Sequence, residues 1–250
     1  KNIRNKNKSL SYNWKINILN EEINNKINIS SKIRKASIDT KTLKKNDIFF
    51  AIKGKKNNGN SFIKEAFKKG ASYSILNKFN KSIKTSKQIL VKDTLKFLTD
   101  LSIKMRNVSP ATFIAITGSC GKTSLKELLV NVLKKSHKLS YSPKSYNNKY
   151  GVPLSLFNIK ENDTFDIFEV GMDRFGEINN LTKIIRPDLG VITNISYAHI
   201  KNFKSLSEIA KAKSEIIDNI ITGGSIVLNA DDYFFNFHKQ LAKKKKLNIP

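Results

Sequence analysis

The chain has 250 residues, enough for one large domain or two of ordinary size, and 39% of them are hydrophobic. Its 46 Lys and Arg against 20 Asp and Glu give a formal net charge of +26, but the lysines are dispersed among Asn and Ile, a compositional bias rather than the basic, aromatic stripe of a nucleic-acid binder. The single cysteine, Cys120, excludes an intramolecular disulfide and a cysteine-built zinc cluster; with no apolar run near ~20 residues and no signal-peptide core between Lys8 and Trp14, the expectation is a cytoplasmic protein with neither nucleic acid nor membrane as partner.

Residues 1–30 are rich in Asn and Lys with short apolar islands, and no element is assigned there. A short strand is expected over 35–39, a polar turn over 40–47 and an apolar strand over 48–52, closed by Gly54. Phe62, Ile63, Ala66 and Phe67 recur at helical spacing over 61–69, and Gly70 supplies a C-terminal stop. Strands at 73–76 and 89–91 precede a helix over 94–108, which carries Leu95, Leu98, Leu101, Ile103 and Met105 and ends at Ser109-Pro110. A domain boundary follows, dividing the chain into 1–108 and 109–250.

The second part alternates regularly. Strands are expected over 112–117, 138–142, 165–170, 189–195 and 225–229, and helices over 123–135, from about Val152-Pro153, over 177–185 and over 205–220. Residues 243–250 read as a basic polar tail without a closing element. Repeated alternation with apolar strands gives the fold class α/β, with a mostly parallel sheet covered on both faces.

The stretch Thr117-Gly118-Ser119-Cys120-Gly121-Lys122-Thr123 joins the strand at 112–117 to an amphipathic helix that opens at Ser124. Glycines let backbone N–H groups approach phosphate oxygens, and the helix N-terminus adds partial positive charge. Lys122 can reach terminal phosphates and the Thr123 hydroxyl can ligate Mg²⁺. The broad pattern G-x-x-x-x-G-K-[ST] would place Gly at 116, where this chain has Ile116, so the match is to the narrower T-G-x-x-G-K-[ST] form.

Ligands of an open parallel sheet sit at the carboxyl ends of its strands. Glu169 ends one apolar strand, where it is either an ordinary carboxylate or an Mg²⁺ ligand. His199, four residues past Ile195, is either structural or a ligand on the same edge. Lys213 falls on the stripe of Leu206, Ile209, Ile216 and Ile220, at i+4 from Ile209. Periodicity alone leaves two readings: an exposed helix end, or a buried ammonium that needs a partner.

Over about residues 36–232 the sequence resembles the Mur ligases, ATP-dependent amide ligases of cell-wall precursor synthesis. The resemblance is carried by the phosphate loop, by Glu169-Val170-Gly171-Met172 with Gly176-Glu177-Ile178, by Asn194-Ile195 with Ala198-His199, by Ile209 to Ile216 and by Asn229-Ala230-Asp231-Asp232. Asn147-Asn148-Lys149-Tyr150-Gly151-Val152-Pro153 is similar to the Asn-Asn-x-x-Gly-x-Pro segment of the branch that adds a dipeptide; the branch adding the third residue normally has Thr-Thr there. Asp39-Thr40-Lys41 stands where Asp-Ser-Arg is usual, and Lys41 cannot make the bidentate fork of Arg.

The resemblance implies a uridine-nucleotide-binding domain over 1–108, a truncated central ATP-binding domain over 109–250, and action as a monomer. It implies that UDP-N-acetylmuramoyl-tripeptide and D-alanyl-D-alanine are joined through an acyl phosphate, with Asp39, Thr40, Lys41, Asn147 and Asn148 toward substrate. ATP would lie on Thr117, Gly118, Ser119, Cys120, Gly121, Lys122, Thr123, Ser124 and Asn229. Lys122, Lys213 and His199 would act in catalysis, and Thr123, Glu169, His199 and a carbamylated Lys213 would hold Mg²⁺. The family has a third, C-terminal domain that closes on the site, so the expectation is a form that binds nucleotide weakly and does not complete ligation. Another Mur-type ligase, including the folate polyglutamate type, and a non-catalytic nucleotide-binding module stay open as alternatives.

Overall fold

The computed structural model describes residues 14–23, 29, 33–54, 57–144, 146–197 and 202–250. The chain divides into two compact units, 1–108 and 109–250.

In the first unit, α1 (Trp14–Glu22) precedes β1 (Ala36–Ser37), β2 (Ile48–Phe50), α2 (Ile63–Lys68), β3 (Tyr73–Leu76), β4 (Gln88–Leu90) and α3 (Thr94–Val108). Among the described residues its sheet has four strands in the order β1-β2-β3-β4, every neighbouring pair parallel. Leu43, Phe49, Ala51, Ile63, Ala66, Ala71 and Leu76 form a buried cluster, so the apolar run at 48–52 and the stripe on α2 meet as their periodicities require. The helix α1 corrects the unassigned reading of 1–30. Its buried residues, Ile16, Ile18 and Leu19, do not keep a clean 3.6-residue spacing, and the charged Lys15 and Glu22 flank an Asn-rich run.

The second unit contains β5 (Thr112–Thr117), α4 (Lys122–Leu133), β6 (Leu139–Tyr141), α5 (Gly151–Phe157), β7 (Phe165–Glu169), α6 (Glu177–Ile185), β8 (Leu189–Ile192), α7 (Leu206–Asp218), β9 (Ser225–Leu228) and α8 (Phe235–Lys244). Among the described residues its sheet runs β6-β7-β5-β8-β9, all parallel. β5 is central, with Ile114 opposite both Ile167 and Leu189, and is buried from Phe113 onward, which explains its unbroken apolar run. Leu125, Leu129, Val130 and Leu133 of α4 pack over Ile114, Ile116, Ile167 and Val191. Because these strands are all parallel, the loops after β5, β7 and β8 leave the same edge, the place where open α/β sheets bind ligands.

The basic tail expected after 243 is instead the end of a helix and the start of a further pairing. α8 buries His238 and Ala242, and Asn248 then bridges Ser225 in parallel. The stripe on α8 was hidden because a histidine and an alanine carry it between lysines. Strands at 165–170, 189–195 and 225–229 stop one to three residues earlier than the apolar runs, since Val170, Thr193 and Asn229 already belong to the loops of the ligand edge. Among the described residues, no helix is long and apolar enough to cross a membrane.

Candidate active site

The loop after β5 turns on two glycines. Gly118 has φ +143, and a Cβ there would lie 1.8 Å from Thr193 Oγ1. Gly121 has φ +81 and is the residue before α4, with open space where a side chain would stand. Gly118→Ala should therefore lower stability by about 2 kcal/mol through a strained φ and a clash with Thr193. A thermal melt unchanged from the parent would show that the loop is not built this way.

The loop after β8 holds the first half of the turn. Ser119 N–H donates to Asn194 O at 2.9 Å and Cys120 N–H to Asn194 Oδ1 at 3.0 Å. Ser119 Oγ donates to Ser196 O at 3.0 Å and accepts from Ser196 N–H at 2.9 Å, while Thr193 Oγ1 donates to Cys120 O at 2.6 Å. Asp232, just past β9, anchors the β8 loop in turn by accepting from Ile195 N–H at 2.6 Å. Asn229 is exposed at the end of β9, and its Oδ1 accepts from Asp231 N–H at 3.0 Å. Ser124 is exposed in the first turn of α4.

Two lysines converge on one carbonyl. Lys122 Nζ folds back over the loop to Gly118 O at 2.8 Å and Ser119 O at 3.1 Å. Lys213 Nζ reaches the same Gly118 O at 2.9 Å from α7. Lys213 is 2% exposed, which rules out the exposed-helix-end reading. Desolvation, and after it the charge of Lys122, lowers its pKa from 10.5 to about 7. Two contacts set the register of α7. Ser205 Oγ accepts from Glu208 N–H at its start, and the Glu215 carboxylate accepts from Gly176 N–H at 2.7 Å and Asn179 N–H at 2.9 Å at the start of α6.

On the other side of β5, Thr123 Oγ1 donates to Glu169 Oε2 at 2.7 Å. Glu169 is 2% exposed; its Oε1 accepts from Asn147 Nδ2 at 2.8 Å, and its own N–H donates to Ser142 Oγ at 3.0 Å. A Cβ on Gly171 would come within 2.9 Å of the Asn147 side chain, so the glycine makes room for that carboxamide. A hydroxyl and a carboxylate oxygen in contact are hard donors of the kind Mg²⁺ prefers. Thr117 Oγ1, at the base of the loop, is a buried polar atom with no hydrogen-bond partner among the described residues. Among those residues no group of three or more His, Cys, Asp or Glu could hold a metal.

The remaining expected site residues serve local turns or lie outside the described residues. His199 lies outside the described residues. Asn148 Oδ1 accepts from Tyr150 and Gly151 N–H, each at 3.0 Å, and so serves the start of α5. In the first unit, Asp39 Oδ1 accepts from Lys41 N–H at 2.8 Å and the buried Thr40 offers its carbonyl to Lys69 Nζ at 2.9 Å. Three features were not singled out from sequence: the fully buried Lys126, the Asn194 cradle and the Asn147–Glu169 pair. Only Lys126 carried a signal, its i+4 spacing from Lys122.

Sheet order, glycine turn and lysine-threonine helix start define a phosphate-loop α/β unit. The Mur ligase middle domain matches residues 116–249, more than half of the chain, which belongs to the Mur ligase family. It is 36% identical over 228 residues to the UDP-N-acetylmuramoyl-tripeptide–D-alanyl-D-alanine ligase of Rickettsia prowazekii, covering 91% of this chain and 49% of that protein. Identity to the Bacillus subtilis ligase of the same name is 31%, covering 80% and 44%. The crystal structure of MurF from Acinetobacter baumannii superimposes with a TM-score of 0.80 at 27% identity, covering 93% of this chain and 52% of that one. A Thermotoga maritima MurF ligase in complex with ADP gives 0.72 at 30% identity, covering 86% and 49%. The chain spans about half the length of the curated relatives it matches.

Proposed function

We propose that the protein is an ADP-forming ligase that joins D-alanyl-D-alanine to UDP-N-acetylmuramoyl-tripeptide in peptidoglycan precursor synthesis, as the names of its relatives state for them. The observation that carries the reading is the convergence of Lys122 and Lys213 on Gly118 O, beside the Thr123–Glu169–Asn147 set. These groups can gather and neutralise anions that otherwise repel one another.

In this reading ATP lies on residues 117–124 with its base toward Asn229. The tripeptide carboxylate attacks the γ-phosphorus, the bond to the ADP oxygen breaks, and an acyl phosphate forms. The amine of the dipeptide then adds to the acyl carbon, and phosphate leaves as the amine proton is lost. Lys122 leaves its loop carbonyls to hold phosphate oxygens. Thr123 and Glu169 would hold one Mg²⁺, and His199 with Lys213 the second; when bound, Mg²⁺ neutralises charge on the phosphoryl oxygens. Lys213 takes up CO₂ as a carbamate: its amine lone pair forms the N–C bond and a proton is released. That change turns a cation buried beside Lys122 into an anionic oxygen ligand.

The first unit, with Asp39, Thr40 and Lys41, is assigned to the uridine nucleotide, and Asn147 and Asn148 to the acceptor side. The enzyme is read as cytoplasmic and monomeric. Calorimetry with UDP-linked muramoyl tripeptide should give saturable binding to residues 1–250. Binding of DNA or RNA without binding of the tripeptide would overturn the reading.

A further inference from the structure

We propose that Lys126 is a positioning residue that couples the phosphate-loop helix to the segment carrying Asn147, and through Asn147 sets the Glu169 carboxylate. The inference rests on the function proposed above. Lys126 lies one turn beyond Lys122 and Thr123 on α4, and its side chain is 0% exposed, whereas Lys122, the other lysine of that helix, is partly exposed. A buried ammonium survives only with partners. Lys126 Nζ donates to Ser142 O at 2.9 Å and Lys144 O at 2.8 Å, and lies 3.5 Å from the half-exposed Glu127 carboxylate and 3.9 Å from Glu169 Oε2.

The two carbonyls belong to the turn that leaves β6 and leads to Asn147. Lys144 within it has φ +46, a left-handed conformation that a lysine adopts only where its surroundings impose it. Ser142, at the start of the turn, also holds Glu169 N–H through its hydroxyl. At the far end Asn147 grips Glu169 Oε1 and its carbonyl accepts from Gly171 N–H at 2.8 Å. Lys126 thus fastens the strained turn to the helix that begins with Lys122 and Thr123, so the groups that donate to the Glu169 carboxylate oxygens, Thr123 and Asn147, keep one relative position. A lysine needed only for packing would not be spent on the carbonyl of an exposed, strained residue.

The test is calorimetry of ADP on residues 1–250, in Mg²⁺ and in EDTA. Wild type should bind ADP more tightly with Mg²⁺. In Lys126→Met the affinity in EDTA should stay within about twofold, while the gain from Mg²⁺ falls by about tenfold, the usual cost of losing a residue that orients a metal ligand. Adding Lys144→Gly should restore most of the gain, because glycine accepts the positive φ without help. Hydrogen exchange of the amides at 146–151 should quicken in Lys126→Met and slow again in the double variant. Lys126→Gln, run in parallel, guards against a variant that fails to fold. Equal losses with and without Mg²⁺, or an undiminished Mg²⁺ gain, would overturn the inference. Absence of any Mg²⁺ gain in wild type would overturn the proposed function and the inference with it.

Discussion

Lys122→Ala is expected to weaken ADP binding by about 100-fold, or ~2.7 kcal/mol, with the fold retained. The expectation follows from where the side chain spends its charge. In this structure Lys122 Nζ is satisfied by two loop carbonyls, Gly118 O and Ser119 O. Carbonyl oxygens are weaker partners for an ammonium than phosphate oxygens, so under the proposed function an arriving nucleotide would draw the lysine off these carbonyls. Removing one partner of a desolvated charge pair costs about 2–5 kcal/mol. The fold has little to lose, because Gly118 O keeps its bond from Lys213 and the loop keeps its bonds to Asn194 and Ser196. Calorimetry and a thermal melt decide the matter together. ADP affinity equal to the parent, in a variant that melts like the parent, would remove Lys122 from the site.

The phosphate loop and the sheet around it were legible because each element there obeys one rule over its whole length. β5 is apolar from Phe113 to Ile116 because both of its faces are buried there, and the glycines at 118 and 121 stand where φ is positive. Glu169 and Lys213 were legible as anomalies, polar residues on buried patterns, but sequence could not say what they touch. Lys126 escaped because its one signal, the i+4 spacing from Lys122, is ordinary on a helix until its burial is seen. The Asn194 cradle escaped for a different reason. It joins positions 74 residues apart through backbone amides, and nothing in residue type announces a carboxamide that caps a loop from another strand. The helices α1 and α8 were obscured by the same bias that inflates the net charge, since Asn and Lys occupy positions where a clearer amphipathic pattern would have shown.

Lys213→Met should stabilise the protein near neutral pH, and the gain should fade as pH rises. Burial holds the folded-state pKa of Lys213 at about 7, against 10.5 for the free side chain. Between those values the unfolded chain binds a proton that the folded chain does not, so the stability of the parent rises with pH across that window. Below about pH 7 both states are protonated, and the cost of burying the ammonium is present in full. Above 10.5 both are neutral and the cost is gone. Methionine has a similar length and no charge to bury, so its advantage follows that cost in reverse. With one pKa unit worth 1.36 kcal/mol, the difference between variant and parent should shrink by about 3 kcal/mol from pH 6.5 to 9.5. Urea unfolding in CO₂-free buffer is the measurement, since carbamate formation would supply the parent with another route out of its charge. A difference independent of pH would mean that Lys213 stays protonated in the fold, in which case the amine would not be free to take up CO₂ at neutral pH. If the slope appears, bicarbonate added at pH 8 should stabilise the parent and leave Lys213→Met unmoved, tying the same burial that costs stability to the carbamate the proposed ligase requires.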